Sequence, residues 1–232
     1  CDVKAAACTY KARPDGWLCG GADECNKQCS GGSCASAALG WTHSGIGDGY
    51  IDGPSHKARF RNPWGLALDD KDNLYVADRY NHRIRKVAPD GSVTTFAGGK
   101  AGYAEGLGTA AMFNQPMGLD MADDGFLLVA DYANHRIRRI SPEGKVSTLA
   151  GSNKGYKEGL GTLAQMNLPI GVLADNLGGA YFADTSNHRI RHVAAAGMTT
   201  LIAGSGTADV VDGVKASASF YHPFDLAMDG KG

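Results

Sequence analysis

Residues 76–87 read VADRYNHRIRKV, two runs of alternating apolar residues separated by a polar interruption from Asp78 to His82. Alternation with period two marks a strand with one buried face. Asp and Asn bond readily to nearby backbone in turns, so the stretch predicts strand, tight turn, strand. The same design returns as VADYANHRIRRI at 129–140 and FADTSNHRIRHV at 182–193, a tandem spacing of about 53 residues that makes the hairpin part of a larger repeating unit. Asn62-Pro63, Gln115-Pro116, Leu168-Pro169 and His222-Pro223 open successive copies, with Phe60, Phe113, Met166 and Phe220 just ahead of the prolines.

Working outward, each copy reads as four strands. In the first they are WGLALD (64–69), NLYVAD (73–78), HRIRKV (82–87) and SVTTFAG (92–98). Pro89-Asp90-Gly91 and Pro142-Glu143-Gly144 supply turns, since proline presets φ and glycine accepts φ above zero. A lone four-stranded sheet exposes two faces and two edges and needs neighbours. A tandem period of that length with four strands per unit predicts an all-β fold, a β-propeller whose blades cover one another's faces. The blades fall at about 63–115, 116–168 and 169–222, with part-blades on either side. The NHRIRK motif, preceded by VAD and followed by a D-G turn and an AG strand end, resembles the repeat of NHL-repeat propellers, over about residues 41–232. The resemblance implies a six-bladed ring, of which this sequence is long enough for only part.

All six cysteines, Cys1, Cys8, Cys19, Cys25, Cys29 and Cys34, precede residue 35. That boundary divides a Cys-rich module, 1–34, from the propeller region, 35–232. An even number of cysteines in a short Gly-, Ala- and Ser-rich stretch implies disulfides, of undetermined pairing, and an oxidising compartment. A zinc site is the rival reading, but no paired C-x2-C motifs or histidines occur in the segment. The spacing loosely resembles an EGF-like module, except that Cys25-x3-Cys29 replaces the family's C-x-C step. A chain starting at Cys reads as processed or as a fragment, and no run of about eighteen apolar residues marks a membrane span.

Lys plus Arg number 23 and Asp plus Glu 24, so no whole-molecule field favours nucleic acid. The Asp-x-x-Asn-His-Arg set recurs as Asp78, Asn81, His82 and Arg83, as Asp131, Asn134, His135 and Arg136, and as Asp184, Asn187, His188 and Arg189. These residue types also build catalytic sites, but an enzyme needs one asymmetric constellation, and identical recurrence argues for architecture. Alternation puts Arg83 and Arg85 on one side of their strand, as it does Arg136 with Arg138 and Arg189 with Arg191, where pairing with acids is expected. Tyr50, Tyr103 and Tyr156 recur in the connections between blades. In a four-stranded blade the connection and the turn between strands two and three share a rim, which gathers Arg79, Tyr80, Tyr103, Tyr132 and Tyr156 as the candidate interaction surface. DDKDN (69–73) superficially resembles a calcium loop but lacks the glycine and distal Glu of an EF-hand, so it reads as a hairpin turn.

The leading expectation is a non-enzymatic, extracellular or cell-surface protein-interaction or structural module, binding other proteins or its own copies, with no cofactor, catalytic residue or small-molecule substrate. Teneurin-like adhesion proteins show a similar order of parts. The alternatives are an RNA-binding NHL propeller using a basic face and, through resemblance to the amidating lyase family, a metal-dependent enzyme using the propeller channel. For the latter, His43, His56, His192 and His222 lie outside the repeated turn but show no ligand spacing.

Overall fold

The structure is a computed structural model that describes residue 45 and residues 47–229, with the backbone of two short strands ahead of them. The chain forms two compact units, Cys1–Thr42 and His43–Gly232. In the first, β1 (Lys27–Ser30) and β2 (Ser33–Ser36) pair antiparallel, which sets Cys29 opposite Cys34 along the backbone. Cys1, Cys8, Cys19 and Cys25 lie outside the described residues, as does the disulfide pairing expected of the six.

The second unit is all-β. Its first sheet runs in the order β3 (Pro63–Leu68), β4 (Leu74–Asp78), β5 (Arg83–Val87), β6 (Val93–Gly98), an antiparallel meander. A two-residue strand, β7 (Gly106–Leu107), then joins the outer edge of the second sheet, formed by β8 (Pro116–Met121), β9 (Leu127–Asp131), β10 (Arg136–Ile140) and β11 (Lys145–Gly151). Likewise β12 (Gly159–Leu160) edges the third sheet of β13 (Val172–Ala174), β14 (Ala180–Asp184), β15 (Arg189–Val193) and β16 (Met198–Ala203). The second and third sheets are therefore five-stranded, one strand more than the sequence pattern predicts. The added strands are too short, and too glycine-rich, to carry a periodic signal. Each covers an outer edge that would otherwise present unpaired N–H and C=O groups.

The sheets stack as neighbouring blades. Ala77, Ile84 and Ala97 of the first sheet share a core with Leu119, Leu127 and Val129 of the second, with Ala111 and Phe113 of the connection wedged into it. Leu128, Ala130 and Ile137 of the second sheet meet Val172, Ala180 and Phe182 of the third in the same way. Phe113 and Phe182 are wholly buried, and each side chain so covered stabilises the stack by about 1.5–3 kcal/mol. The innermost strands approach through glycine. A Cβ on Gly65 would stand 2.3 Å from the Met117 carbonyl oxygen, and one on Gly118 would stand 2.2 Å from that of Ile170. Gly118 N–H instead donates to that Ile170 oxygen at 3.1 Å, a backbone bond from blade to blade. The described sheets form an open arc: Leu66 on the leading face of the first blade is 57% exposed, whereas its counterpart Leu119 is 8% exposed. No helix among the described residues is long and apolar enough to cross a membrane.

Candidate interaction rim

The three Asp-x-x-Asn-His-Arg sets sit at one rim, where strand two turns into strand three through a single 3-10 turn: Arg79–Asn81, Tyr132–Asn134 and Thr185–Asn187. Asp78, Asp131 and Asp184 are completely buried, and so are Arg85, Arg138 and Arg191. In the second blade Asp131 accepts bonds from Asn114 N–H at 2.8 Å, Asn134 Nδ2 at 2.9 Å and Arg138 Nη1 at 2.8 Å. Arg138 also donates to the Met112 and Ala104 carbonyls, at 3.2 and 2.9 Å. The guanidinium thus spreads over one carboxylate and two carbonyls of the connection instead of forking onto a single acid. Asn134 donates at 2.7 Å to Gly102 O, fastening the start of the connection to the turn. The first and third blades repeat the Asp–Arg pair with Asp78–Arg85 at 2.7 Å and Asp184–Arg191 at 2.9 Å, and in the first blade Arg85 pairs with a second carboxylate, Asp52, as well. Burial pushes the carboxyl pKa values of Asp131 and Asp184 up, and the donors around each, Arg138 and Asn114 or Asn167, Asn187 and Arg191, pull them back.

Each histidine of the motif reaches the next blade. His82, His135 and His188 have φ of 55°, 54° and 57° at the end of the turn. Their Nδ1 atoms accept the N–H of Gln115, Leu168 and His222, each at 3.1 Å. Those three residues precede the prolines and themselves have φ near 50°, a region L-residues visit rarely and a leucine more rarely still. An acceptor at Nδ1 must be unprotonated, so the fold holds these rings as the neutral Nε2–H tautomer. Burial lowers the pKa of all three below 6.5, helped by Arg61 and Arg83 around His82, Lys154 and Arg136 around His135, and His222 and Arg189 around His188.

Arg83, Arg136 and Arg189 do share a side with the buried arginines but stack on tyrosine, not on acids. Their guanidinium carbons lie 3.8, 3.9 and 3.8 Å from the ring centres of Tyr50, Tyr103 and Tyr156. Tyr50 and Tyr103 further hydrogen-bond Thr95 and Thr148 at 3.0 and 3.1 Å. Tyr103 and Tyr156 are therefore each engaged with the edge of their own blade, apart from the other rim candidates. Arg79, Tyr80 and Tyr132 come together instead around Trp64, which sequence reasoning missed. The Arg79 guanidinium lies 5.5 Å from the Trp64 ring, 4.9 Å from Tyr80 and 5.6 Å from Tyr132, and its Nη2 donates to Gln115 Oε1 at 3.1 Å. Trp64 is 45% exposed, while its counterparts Met117 and Ile170 are buried. The available signal was its size, an aromatic at a position that holds Met117 and Ile170 in the next two copies and an aromatic again, Phe224, only in the fourth.

At the opposite rim, DDKDN forms the β3–β4 turn. Burial opposes the charge on Asp69, but bonds from Asn73 and Lys71 hold its carboxyl below the usual range. Tyr75, buried and donating to Asp69 at 3.3 Å, has its phenol pushed up to about 12. A cleft of about 660 Å³ opens there between the first two blades, lined in part by Asp70, Lys71, Lys86, Asp123 and Asp124. Among the described residues, no group of three or more His, Cys, Asp and Glu is placed to hold a metal ion.

The NHL repeat model matches residues 60–87 and 113–140, which span the first two motif-bearing hairpins. NHL repeat-containing protein 2 of Bos taurus is 40% identical over 102 residues, covering 42% of this chain and 14% of that protein. Protein SUPPRESSOR OF QUENCHING 1, chloroplastic, of Arabidopsis thaliana is 36% identical over 96 residues, covering 40% of this chain and 9% of that one. The chain thus spans only a small part of the length of the curated relatives it matches. Among solved structures, an auxiliary nutrient binding protein from Bacteroides ovatus superposes with a TM-score of 0.59 at 20% identity, covering 75% of this chain and 44% of that one. At that identity the likeness speaks for the fold alone. The third copy keeps the same buried Asp–Arg–Asn node and histidine bond as the two matched copies. Residues 60–87 and 113–140 of this chain are thus identified as NHL repeats.

Proposed function

We propose that this part of the chain is a non-enzymatic protein-interaction module whose contact surface is the rim bearing Trp64, Arg79, Tyr80 and Tyr132. The observation that carries the reading is a break in symmetry. The buried Asp–Arg–Asn nodes, the histidine bonds and the Tyr–Arg stacks recur from blade to blade, as architecture does. The Arg79 cluster does not recur, because Tyr132 and Thr185 hold the Arg79 position and Ala133 and Ser186 hold the Tyr80 position. Exposed Trp and Tyr beside Arg are the residue types that dominate binding energy at protein interfaces. The six clustered cysteines support a place in an oxidising, extracellular or cell-surface setting. A photo-crosslinking residue at Tyr80 in the full chain, compared with one at Asp123 on the opposite rim, tests the function. A protein adduct formed at Tyr80 and not at Asp123 supports it, and no adduct from the Tyr80 position refutes it. Thiol titration of natively isolated chain tests the setting, since free cysteines would contradict it.

A further inference from the structure

The near-neutral composition conceals a segregation of charge. The rim of the strand two–three turns carries Arg83, Arg136 and Arg189 at each blade, with Arg61, Arg79, Lys100 and Lys154 on or beside the turns and the connections they hold. Exposed acids of the same connections are Asp48, Asp52, Glu105, Glu158, Asp209 and Asp212, of which Asp52 pairs with Arg85 while Glu105 and Glu158 accept the outer-strand N–H groups of Thr148 and Leu201. The opposite rim, where strands one and two and strands three and four turn, carries Asp70, Asp72, Asp90, Asp123, Asp124 and Glu143 against the bases Lys71, Lys86 and Arg139. Several of those acids are spent within their own turns: Asp90 accepts from Ser92, and Asp124 pairs with Arg139.

The basic side is further prepared for carboxylates. A guanidinium held against an aromatic ring can still offer N–H groups to an acceptor, and the guanidinium carbons of Arg83, Arg136 and Arg189 lie 3.8, 3.9 and 3.8 Å from the ring centres of Tyr50, Tyr103 and Tyr156. Arg136 spends part of its N–H edge on Asn134 O at 2.6 Å, and Arg189 engages both terminal nitrogens, with Asn187 O at 3.0 Å and Ser205 O at 2.6 Å, so that Arg83 and Arg136 keep the more open edges. Arg79 is held among three rings, with Nη2 on Gln115 and Nη1 only 3.5 Å from Asn62 Oδ1, a contact too long to satisfy it fully. We infer that the partner of this rim is an acidic polypeptide segment, its carboxylates set against the ring-backed arginines and its apolar groups against Trp64 and Tyr80.

This inference rests on the protein-interaction reading above, and its test separates the two. Fluorescence anisotropy with the full chain compares three labelled probes of equal length: a peptide of alternating Glu and Tyr, the same peptide with Lys for Glu, and oligouridylate. The Glu–Tyr peptide is expected to bind, more weakly as salt rises through screening, and the Lys–Tyr peptide not to bind. Arg79→Gln should weaken binding about tenfold, the scale of one charge-assisted contact, and Arg79→Lys should weaken it less. Asp70→Asn on the far rim should leave it unchanged. An unaltered thermal midpoint in the Arg79 variants keeps the loss from being misread as unfolding. Oligouridylate binding more tightly than the Glu–Tyr peptide, or neither peptide binding, overturns the inference. If the Tyr80 crosslinker still captures a protein in that case, only the acidic chemistry falls; if it captures none, the functional reading falls with it.

Discussion

Replacing Arg138 by Met removes a guanidinium that is wholly buried between the second blade and its connection, and leaves a side chain of similar length. Three donations disappear, to Asp131 at 2.8 Å, Ala104 O at 2.9 Å and Met112 O at 3.2 Å. Asp131 keeps Asn114 N–H and Asn134 Nδ2 but becomes a buried carboxylate with no cation. Stranding one partner of a buried pair costs about 3–5 kcal/mol, and in a domain of this size that lowers the thermal midpoint by roughly 10 °C. Arg83→Met makes the contrast. That residue is half-buried and stacks on Tyr50, a contact on the order of 0.5–1 kcal/mol at an exposed site. Urea unfolding followed by tryptophan fluorescence and circular dichroism measures both. Adding Asp131→Asn to Arg138→Met should recover part of the loss, because the stranded charge is gone. A loss below about 1 kcal/mol for Arg138→Met, or strict additivity in the double variant, would show that the node does not hold the blade as described.

Three further outcomes follow from the same geometry. The imidazoles of His82, His135 and His188 are held neutral in the fold, so as pH falls below 6.5 the unfolded chain takes up protons first. Stability is full above that pH and declines as pH drops through the lower folded values, and a triple His→Asn variant should show a flatter pH dependence by urea unfolding at each pH. Gly118→Val places a Cβ 2.2 Å from the Ile170 oxygen and should lower the thermal midpoint by several degrees or prevent folding, whereas Ser147→Val on the partly buried outer strand should shift it little. Trp64→Ala and Tyr80→Ala should change stability by less than about 1 kcal/mol, because both rings are more than 40% exposed, while weakening partner capture at the rim.

Much of the architecture was legible because it is written in local rules. Period-two alternation through VADRYNHRIRKV placed β4, the turn and β5, and the Pro-Asp-Gly turn placed the step from β5 to β6. Alternation also set Arg83 and Arg85 on one side, but which of the two is buried depends on depth along the strand: Arg85 lies under the connection and Arg83 at the rim. The histidine contacts were hidden because they join residues 33 or 34 positions apart in sequence across a blade boundary. The Arg79 cluster was half visible. Its tyrosines and arginine share a rim by topology, but Trp64 joins them only because the start of the innermost strand lies beside that turn.

The central claim is that successive sheets shield one another's faces, and backbone amides at the joints report on it most directly. Gly118 N–H donates to Ile170 O, and Leu168 N–H to His135 Nδ1, each from one blade to its neighbour at 3.1 Å. Hydrogen exchange measured by NMR should find both amides protected to the level of the strand cores, because solvent reaches them only when the blades part. Exchange at the rate of an exposed amide, with β9 and β10 still protected, would mean that the sheets form but do not stack.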